Sequence, residues 1–217
     1  MQKEFTFHKN FRNQPRLREN FFQFTPKALY GADFRLWYEL GFWRDFYIPY
    51  SLFDKNEMIS NVSVCEMRIL LNGEKFNAVQ LATVGTLPKF RNRGLSRRLM
   101  NQVLQDYDKH SAFFFLFGNE DVLDFYPKWG FRKVEEFCFV WKKPSQFFST
   151  RASLVYRALN WFQKSNRDLF DRYATMSLPV TNRFGVVNYG PILAFYGLYA
   201  YPNDFYHFPE LDAIIVF

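Results

Sequence analysis

A chain of 217 residues that is 48% hydrophobic and 22% aromatic, with 29 phenylalanines, can bury a full core, which favours a packed globule over a disordered chain. Its net charge of +7 suits an anionic partner without saying which one. Cys65 and Cys138 give no disulfide framework, and His8, His110 and His207 form no ligand spacing with them, so no metal is expected. The start lacks a signal peptide's apolar stretch and no run of about 18 apolar residues occurs, so a soluble, cytoplasmic protein without membrane partners is expected.

In chain order, Lys3 to Phe11 alternates as an opening strand. Pro15 suits a first helical turn, and Leu17, Phe21, Phe22 and Phe24 then fit an amphipathic helix. A second helix is predicted over Asp33–Leu40, ended by Gly41. Strands follow at Tyr50–Phe53 and Met58–Met67, and the Asn72-Gly73 pair signals a hairpin into a strand through Leu81, because both residues tolerate positive φ. That antiparallel meander feeds the stretch around which the chain is organised: a strand over Val79–Thr86, the basic loop Leu87-Pro88-Lys89-Phe90-Arg91-Asn92-Arg93-Gly94, a helix from Leu95 to about His110, and an apolar strand over Ala112–Phe117. Leu95, Leu99, Met100, Val103, Leu104 and Tyr107 form one stripe of that helix. The Ala112–Phe117 run is expected to be buried on both faces, linked to the Val79 strand by a right-handed parallel crossover. Asn119 can cap a short helix that Gly130 ends, with Pro127 kinking it. Phe131–Trp141 reads as a further strand, Lys142–Ser145 as a boundary and Gln146–Met176 as helical, broken near Lys164-Ser165-Asn166. Ile192–Tyr199 and Ala213–Phe217 read as strands that complete the sheet or cover the acceptor cleft.

A glycine loop between a strand and a helix exposes backbone N–H groups at the positive end of that helix, an anion site. No phosphate-loop lysine followed by Ser or Thr is present, and no dinucleotide triplet of glycines. The pattern Arg91-x-x-Gly94-x-Ser96, with Tyr126 and Gly130-Phe131 closing the unit, resembles the GCN5-related N-acetyltransferase (GNAT) family. That resemblance covers residues 3–141 and implies an α/β (α+β) fold: a mixed twisted sheet flanked by helices, with a C-terminal helical and strand extension. The expected domains are 1–143 for the acetyltransferase and 144–217 for the extension. It further implies acetyl-CoA as co-substrate and a small-molecule or peptide amine as acceptor. Oligomeric state, a homodimer included, is open.

The resemblance places the diphosphate on Arg91, Asn92, Arg93, Gly94, Leu95 and Ser96. It places the pantetheine arm along Val84, Gly85 and Thr86, where a main-chain N–H supports the thioester oxygen and a bulge splays the strand. Gly85 suits a bulge or a close backbone approach. Tyr126 matches the family's tyrosine and is the candidate acid for the departing thiolate; Glu120 and Glu66 are alternative bases. Trp37, Tyr38, Trp43 and Tyr47 line either the acceptor side or the core. Two other functions compete: a catalytically silent acyl-CoA sensor of the same fold, and a basic, aromatic nucleic-acid module, whose recognition signature the Gly130–Val140 segment lacks.

Overall fold

The computed structural model describes residues 4–135, 154–177, 179 and 181–217. Two compact units are formed, Met1–Phe117 with Asn160–Pro202, and Gly118–Leu159 with Asn203–Phe217.

The first unit is built on a six-stranded mixed sheet. Strands β1 (Thr6–Lys9), β2 (Tyr47–Asp54), β3 (Glu57–Leu71) and β4 (Glu74–Thr86) form the antiparallel meander, and β5 (Phe113–Phe115) runs parallel to β4. The β3–β4 hairpin turns on Asn72 and Gly73 at φ of 50° and 85°, the geometry that pair favours. One correction concerns β5. It is shorter than its apolar run, its residues are only half-buried, and Phe117 is 67% exposed. Among the described residues it pairs with β4 alone, so one edge lacks the neighbour that full burial needs.

Two helices sandwich the sheet. Helix α1 (Pro15–Ala28) starts on Pro15 and buries Phe21, Phe22 and Phe24. Helix α3 (Leu95–Tyr107) buries Leu95, Leu99, Met100 and Val103. They lie on opposite faces, because Gly85 abuts Ala28 and Leu29 whereas its neighbour Thr86 bonds Ser96 at the start of α3. A short α2 (Arg35–Glu39) ends at Gly41, which takes φ of 86°.

The aromatic residues assigned to either the acceptor side or the core are mostly core. Trp37, Trp43 and Tyr47 are buried, and Trp43 packs edge-on against Tyr47 at 5.4 Å. Tyr38 is half-buried beneath the Arg18 guanidinium, 4.1 Å from its ring centroid.

Two later elements differ from the sequence reading. Helix α4 (Lys164–Met176) starts where a helix break was expected, after Gln163 in extended conformation, and Lys164 bonds Asp168 one turn on at 2.6 Å. Residues 146–153, the start of that predicted helix, lie outside the described residues. The run Ile192–Tyr199, read as a strand, is helix α5 (Gly190–Tyr199) with Pro191 in its first turn. A Cβ built on Gly190 would lie 2.5 Å from the Ala174 Cβ, so α5 meets α4 at a distance only glycine allows. Strand β7 (Phe184–Val187) then extends the sheet by pairing with Arg68–Leu71 of β3.

In the second unit, β6 (Arg157–Ala158), β8 (Phe205–Phe208) and β9 (Ala213–Val216) form a separate antiparallel sheet. The strand expected at the C-terminal end is therefore present but does not join the main sheet. Of the strand predicted over Phe131–Trp141, residues 131–135 carry none and the rest lies outside the described residues. Among the described residues no helix is long and apolar enough to cross a membrane.

Candidate active site

Pairing between β4 and β5 covers Ala78↔Phe113, Val79↔Phe114 and Gln80↔Phe115, and then stops. Strand β4 continues to Thr86, about 20 Å further at roughly 3.3 Å per residue, with no described partner on that edge. An unpaired edge offers backbone donors and acceptors to an extended ligand.

Within that free stretch lies a bulge. Asn61 pairs with Gly85 and Ser63 with Ala82, so Thr83 and Val84 together oppose Val62. Thr83 takes φ of 51°, unusual for a β-branched residue. The extra residue changes which face each side chain takes. Val79 pairs with Glu66, which bonds Tyr107 of α3, so odd-numbered residues face α3 before the bulge. After it, Thr86 faces α3 and Gly85 faces α1. Gly85 was expected to mark a bulge or a close approach, and the contact decides: its pairing is regular, and a Cβ there would lie 3.1 Å from Leu29 Cδ2 and 3.2 Å from Ala28 Cβ.

Sequence reasoning missed Thr83 and the polar groups around it. One signal was available: apolar residues fall on odd positions at Val79 and Leu81 and on an even one at Val84, a slip that one extra residue explains. Buried Asn61 donates from Nδ2 to the Thr83 carbonyl at 2.8 Å and to Ser63 Oγ at 2.9 Å, and accepts from Ser51 Oγ at 2.7 Å. Tyr47 hydrogen-bonds the Thr83 hydroxyl, and burial raises the Tyr47 pKa, keeping its proton on.

At the end of β4 a short 3₁₀ turn, Pro88–Phe90, leads into the loop. Asn92 and Gly94 both take left-handed conformations, at φ of 61° and 73°. No atom lies within 4 Å of a Cβ built on Gly94, so conformation and not space calls for glycine. Arg98 donates the first bond of α3, to the Gly94 carbonyl at 3.0 Å, and no side chain caps the helix. The amides of Leu95, Ser96 and Arg97 lie too early in the helix for intrahelical acceptors. The Ser96 hydroxyl turns back to Thr86 Oγ1 at 2.8 Å. Arg91 donates to the Thr86 carbonyl at 3.3 Å and Arg93 to the Lys89 carbonyl at 3.2 Å, wrapping cations around the loop. The first turn holds no acidic residue. Early helix amides beside cations, with no carboxylate in the first turn, are chemically suited to an anion.

Glu66 accepts a hydrogen bond from Tyr107 at 2.7 Å and lies opposite Val79, beside the point where β4 and β5 part. It lines a cleft of about 780 Å³ together with Arg68, Tyr107, His110, Arg44 and Asp171. Tyr126 and Glu120 belong to the second unit. Tyr126 opens the 3₁₀ turn Tyr126–Trp129, closed by Gly130 at φ of 82°, and packs against Phe125 and Phe131. Burial raises its pKa. Glu120 is exposed at the head of a second 3₁₀ turn, Glu120–Val122, where Asn119 takes the cap position without a side-chain bond. Among the described residues no cluster of three or more His, Cys, Asp or Glu side chains could hold a metal ion.

A family model described as an acetyltransferase (GNAT) domain matches residues 9–134. The chain belongs to the GNAT acetyltransferase family. Comparison with curated proteins finds no sequence match. Solved structures share the GNAT fold at low identity. Glucosamine-6-phosphate N-acetyltransferase from Arabidopsis thaliana is 14% identical with a TM-score of 0.50, over 64% of this chain and 99% of that one. An aminoglycoside acetyltransferase from an uncultured soil metagenomic sample is also 14% identical with a TM-score of 0.50, over 64% and 99% of the two chains. A predicted acetyltransferase with acetyl-CoA from Clostridium acetobutylicum is 11% identical with a TM-score of 0.50, over 63% and 96%.

Proposed function

We propose that this GNAT domain transfers an acetyl group from acetyl-CoA to a primary amine. The observation that carries the reading is that one strand, β4, supplies both an edge unpaired among the described residues and, at its end, a cationic run of helix-start amides. An extended thioester arm with a diphosphate at its far end matches both parts. The solved relative from Clostridium acetobutylicum holds acetyl-CoA, and two others are named for acetylating an amino sugar phosphate and aminoglycosides.

In this reading the amides and cations of Arg91–Ser96 hold the diphosphate, and Val84, Gly85 and Thr86 run along the pantetheine arm. An alkylammonium of pKa ~10.4 requires roughly 4–5 kcal/mol to lose its proton at neutral pH. A carboxylate, Glu66 or Glu120, takes that proton, directly or through water. The amine then attacks the thioester carbon, a β4 amide stabilises the tetrahedral oxygen, and the C–S bond breaks. Tyr126 protonates the leaving thiolate; the burial that raises its pKa keeps the phenol protonated at neutral pH. The acceptor is a small-molecule or peptide amine.

A panel of amines assayed by the free thiol of released CoA tests the reading, with coenzyme A binding measured by titration calorimetry. Tyr126→Phe is expected to retain CoA affinity while turnover drops by about 10²–10⁴. Turnover that survives the substitution removes Tyr126 from the chemistry. Binding of CoA without turnover on any amine identifies a silent sensor, and no binding at all ends the proposal.

A further inference from the structure

We infer that Asn61 is a positioning residue for the transfer, because its buried carboxamide aims the Val84 N–H at the open edge of β4. This rests on the acetyl-CoA reading above. The geometry starts at the Thr83–Val84 peptide, the centre of the bulge. A trans peptide points its C=O and N–H in opposite directions. Asn61, on β3, grips the Thr83 carbonyl at 2.8 Å, so that carbonyl is turned inward to β3. The N–H of the same peptide, carried by Val84, is thereby turned outward, where β5 no longer pairs with β4. That is where a thioester oxygen needs a fixed donor.

Asn61 is itself held. It is fully buried on β3, its Oδ1 accepts from Ser51 Oγ at 2.7 Å, and its Nδ2 also donates to Ser63 Oγ at 2.9 Å. Ser51 Oγ and Ser63 Oγ are buried on the same face, so three strands contribute to a closed polar network around one carbonyl. A second tether, from Tyr47 to the Thr83 hydroxyl, fixes the same residue from β2. Thr83 needs such support: its left-handed conformation is intrinsically disfavoured for a β-branched side chain. An apolar strand would pack here equally well, and two buried serines and an asparagine serve packing poorly. Their common product is the orientation of one peptide.

The test compares CoA with acetyl-CoA in Asn61→Leu and Asn61→Asp, two variants of similar size that lack the Nδ2 donor. Calorimetry gives both affinities, and the ¹³C shift of bound [1-¹³C]acetyl-CoA reports the hydrogen bond to the thioester carbonyl. CoA affinity is expected to stay within about twofold, since the cradle at Gly94 is untouched, while the acetyl-CoA to CoA affinity ratio falls about tenfold, the scale of one hydrogen bond. The carbonyl resonance is expected to move upfield toward its position in free acetyl-CoA. Ser51→Ala, which removes only the donor to Oδ1, is expected to move the resonance part of the way and remains measurable if both Asn61 variants fail to fold. A wild-type resonance and affinity ratio in the folded variants, Ser51→Ala included, overturns the inference. Absence of CoA binding to the wild-type protein is a different result and overturns the acetyl-CoA reading instead.

Discussion

Gly85 shows how a single hydrogen atom sets the spacing between sheet and helix. Its backbone pairs regularly with Asn61, and any Cβ would press on Leu29 and Ala28 at 3.1–3.2 Å. Alanine requires its neighbours to give by a few tenths of an ångström; valine adds two further methyl groups against the same wall. Gly85→Val is therefore expected to cost about 1–3 kcal/mol of stability, as overpacking usually does. At about 2–4 °C per kcal/mol for a chain of this size, the thermal midpoint should drop by roughly 2–12 °C. An unchanged melting curve would show that the end of α1 moves aside freely. At this scale the sequence was partly legible. Gly94 announces its left-handed role by being a glycine before a helix, and the need for a small residue at Gly85 could be foreseen. The partner of Gly85, thirteen residues beyond Pro15 along α1, could not be, because contacts between distant segments depend on how the helix crosses the sheet. Asn61 and Thr83 looked like ordinary strand residues, since a buried polar group declares itself only when its partners are seen.

Helix α3 is tied to the sheet at both ends by polar groups as well as by its apolar stripe. Ser96 bonds Thr86 at the cradle end. Near the other end Asp106 accepts from Lys9 of β1 at 2.8 Å, from Tyr50 of β2 at 2.9 Å and from Gln102 at 2.7 Å. Burial pushes the Asp106 pKa upward, but the three hydrogen bonds and the Lys9 charge outweigh it, so the carboxyl lies below its ordinary value. A depressed pKa means that folding favours the ionised form. The contribution is therefore complete above the unfolded value of about 3.9 and is lost as pH falls through the lower folded value. Asp106→Asn is expected to lose about 1–3 kcal/mol at pH 7, the scale of hydrogen bonds to a charged group. The gap between variant and wild type should close in acid, and urea denaturation at pH 7 and pH 3 measures it. A gap that is the same at both pH values would assign the loss to shape alone. The elements of this half of the chain were readable because periodicity and punctuation agree: Pro15 opens α1, Asn72-Gly73 turns the hairpin, and the stripe from Leu95 to Tyr107 repeats every turn. In α5 they did not agree. Ile192–Tyr199 is apolar on every side, so neither period shows, and its helical state follows from close packing of Gly190 on Ala174.

Across the whole molecule, the net charge of +7 has a local concentration. Lys89, Arg91, Arg93, Arg97 and Arg98 fall within ten residues around the start of α3, a helix whose first turn has no acidic residue. Of these five, Lys89 has a carboxylate partner, Glu57 at 2.8 Å, while Arg91 and Arg93 turn to backbone carbonyls. The fold thus holds like charges together beside a positive helix end, an arrangement that a dianion would relieve. Anything that binds the folded state alone raises its stability, by about 2.7 kcal/mol at a ligand concentration 100 times Kd. Coenzyme A at that excess should raise the thermal midpoint by roughly 5–11 °C for a chain of this length. Salt screens exposed charges, so the same measurement in 0.5 M sodium chloride should give a smaller rise at fixed ligand concentration. Pantetheine lacks the diphosphate and should shift the midpoint less than coenzyme A at equal concentration. Equal shifts from the two ligands would place the binding energy in the strand edge, and would remove the cradle at Gly94 from the account of how this domain holds its co-substrate.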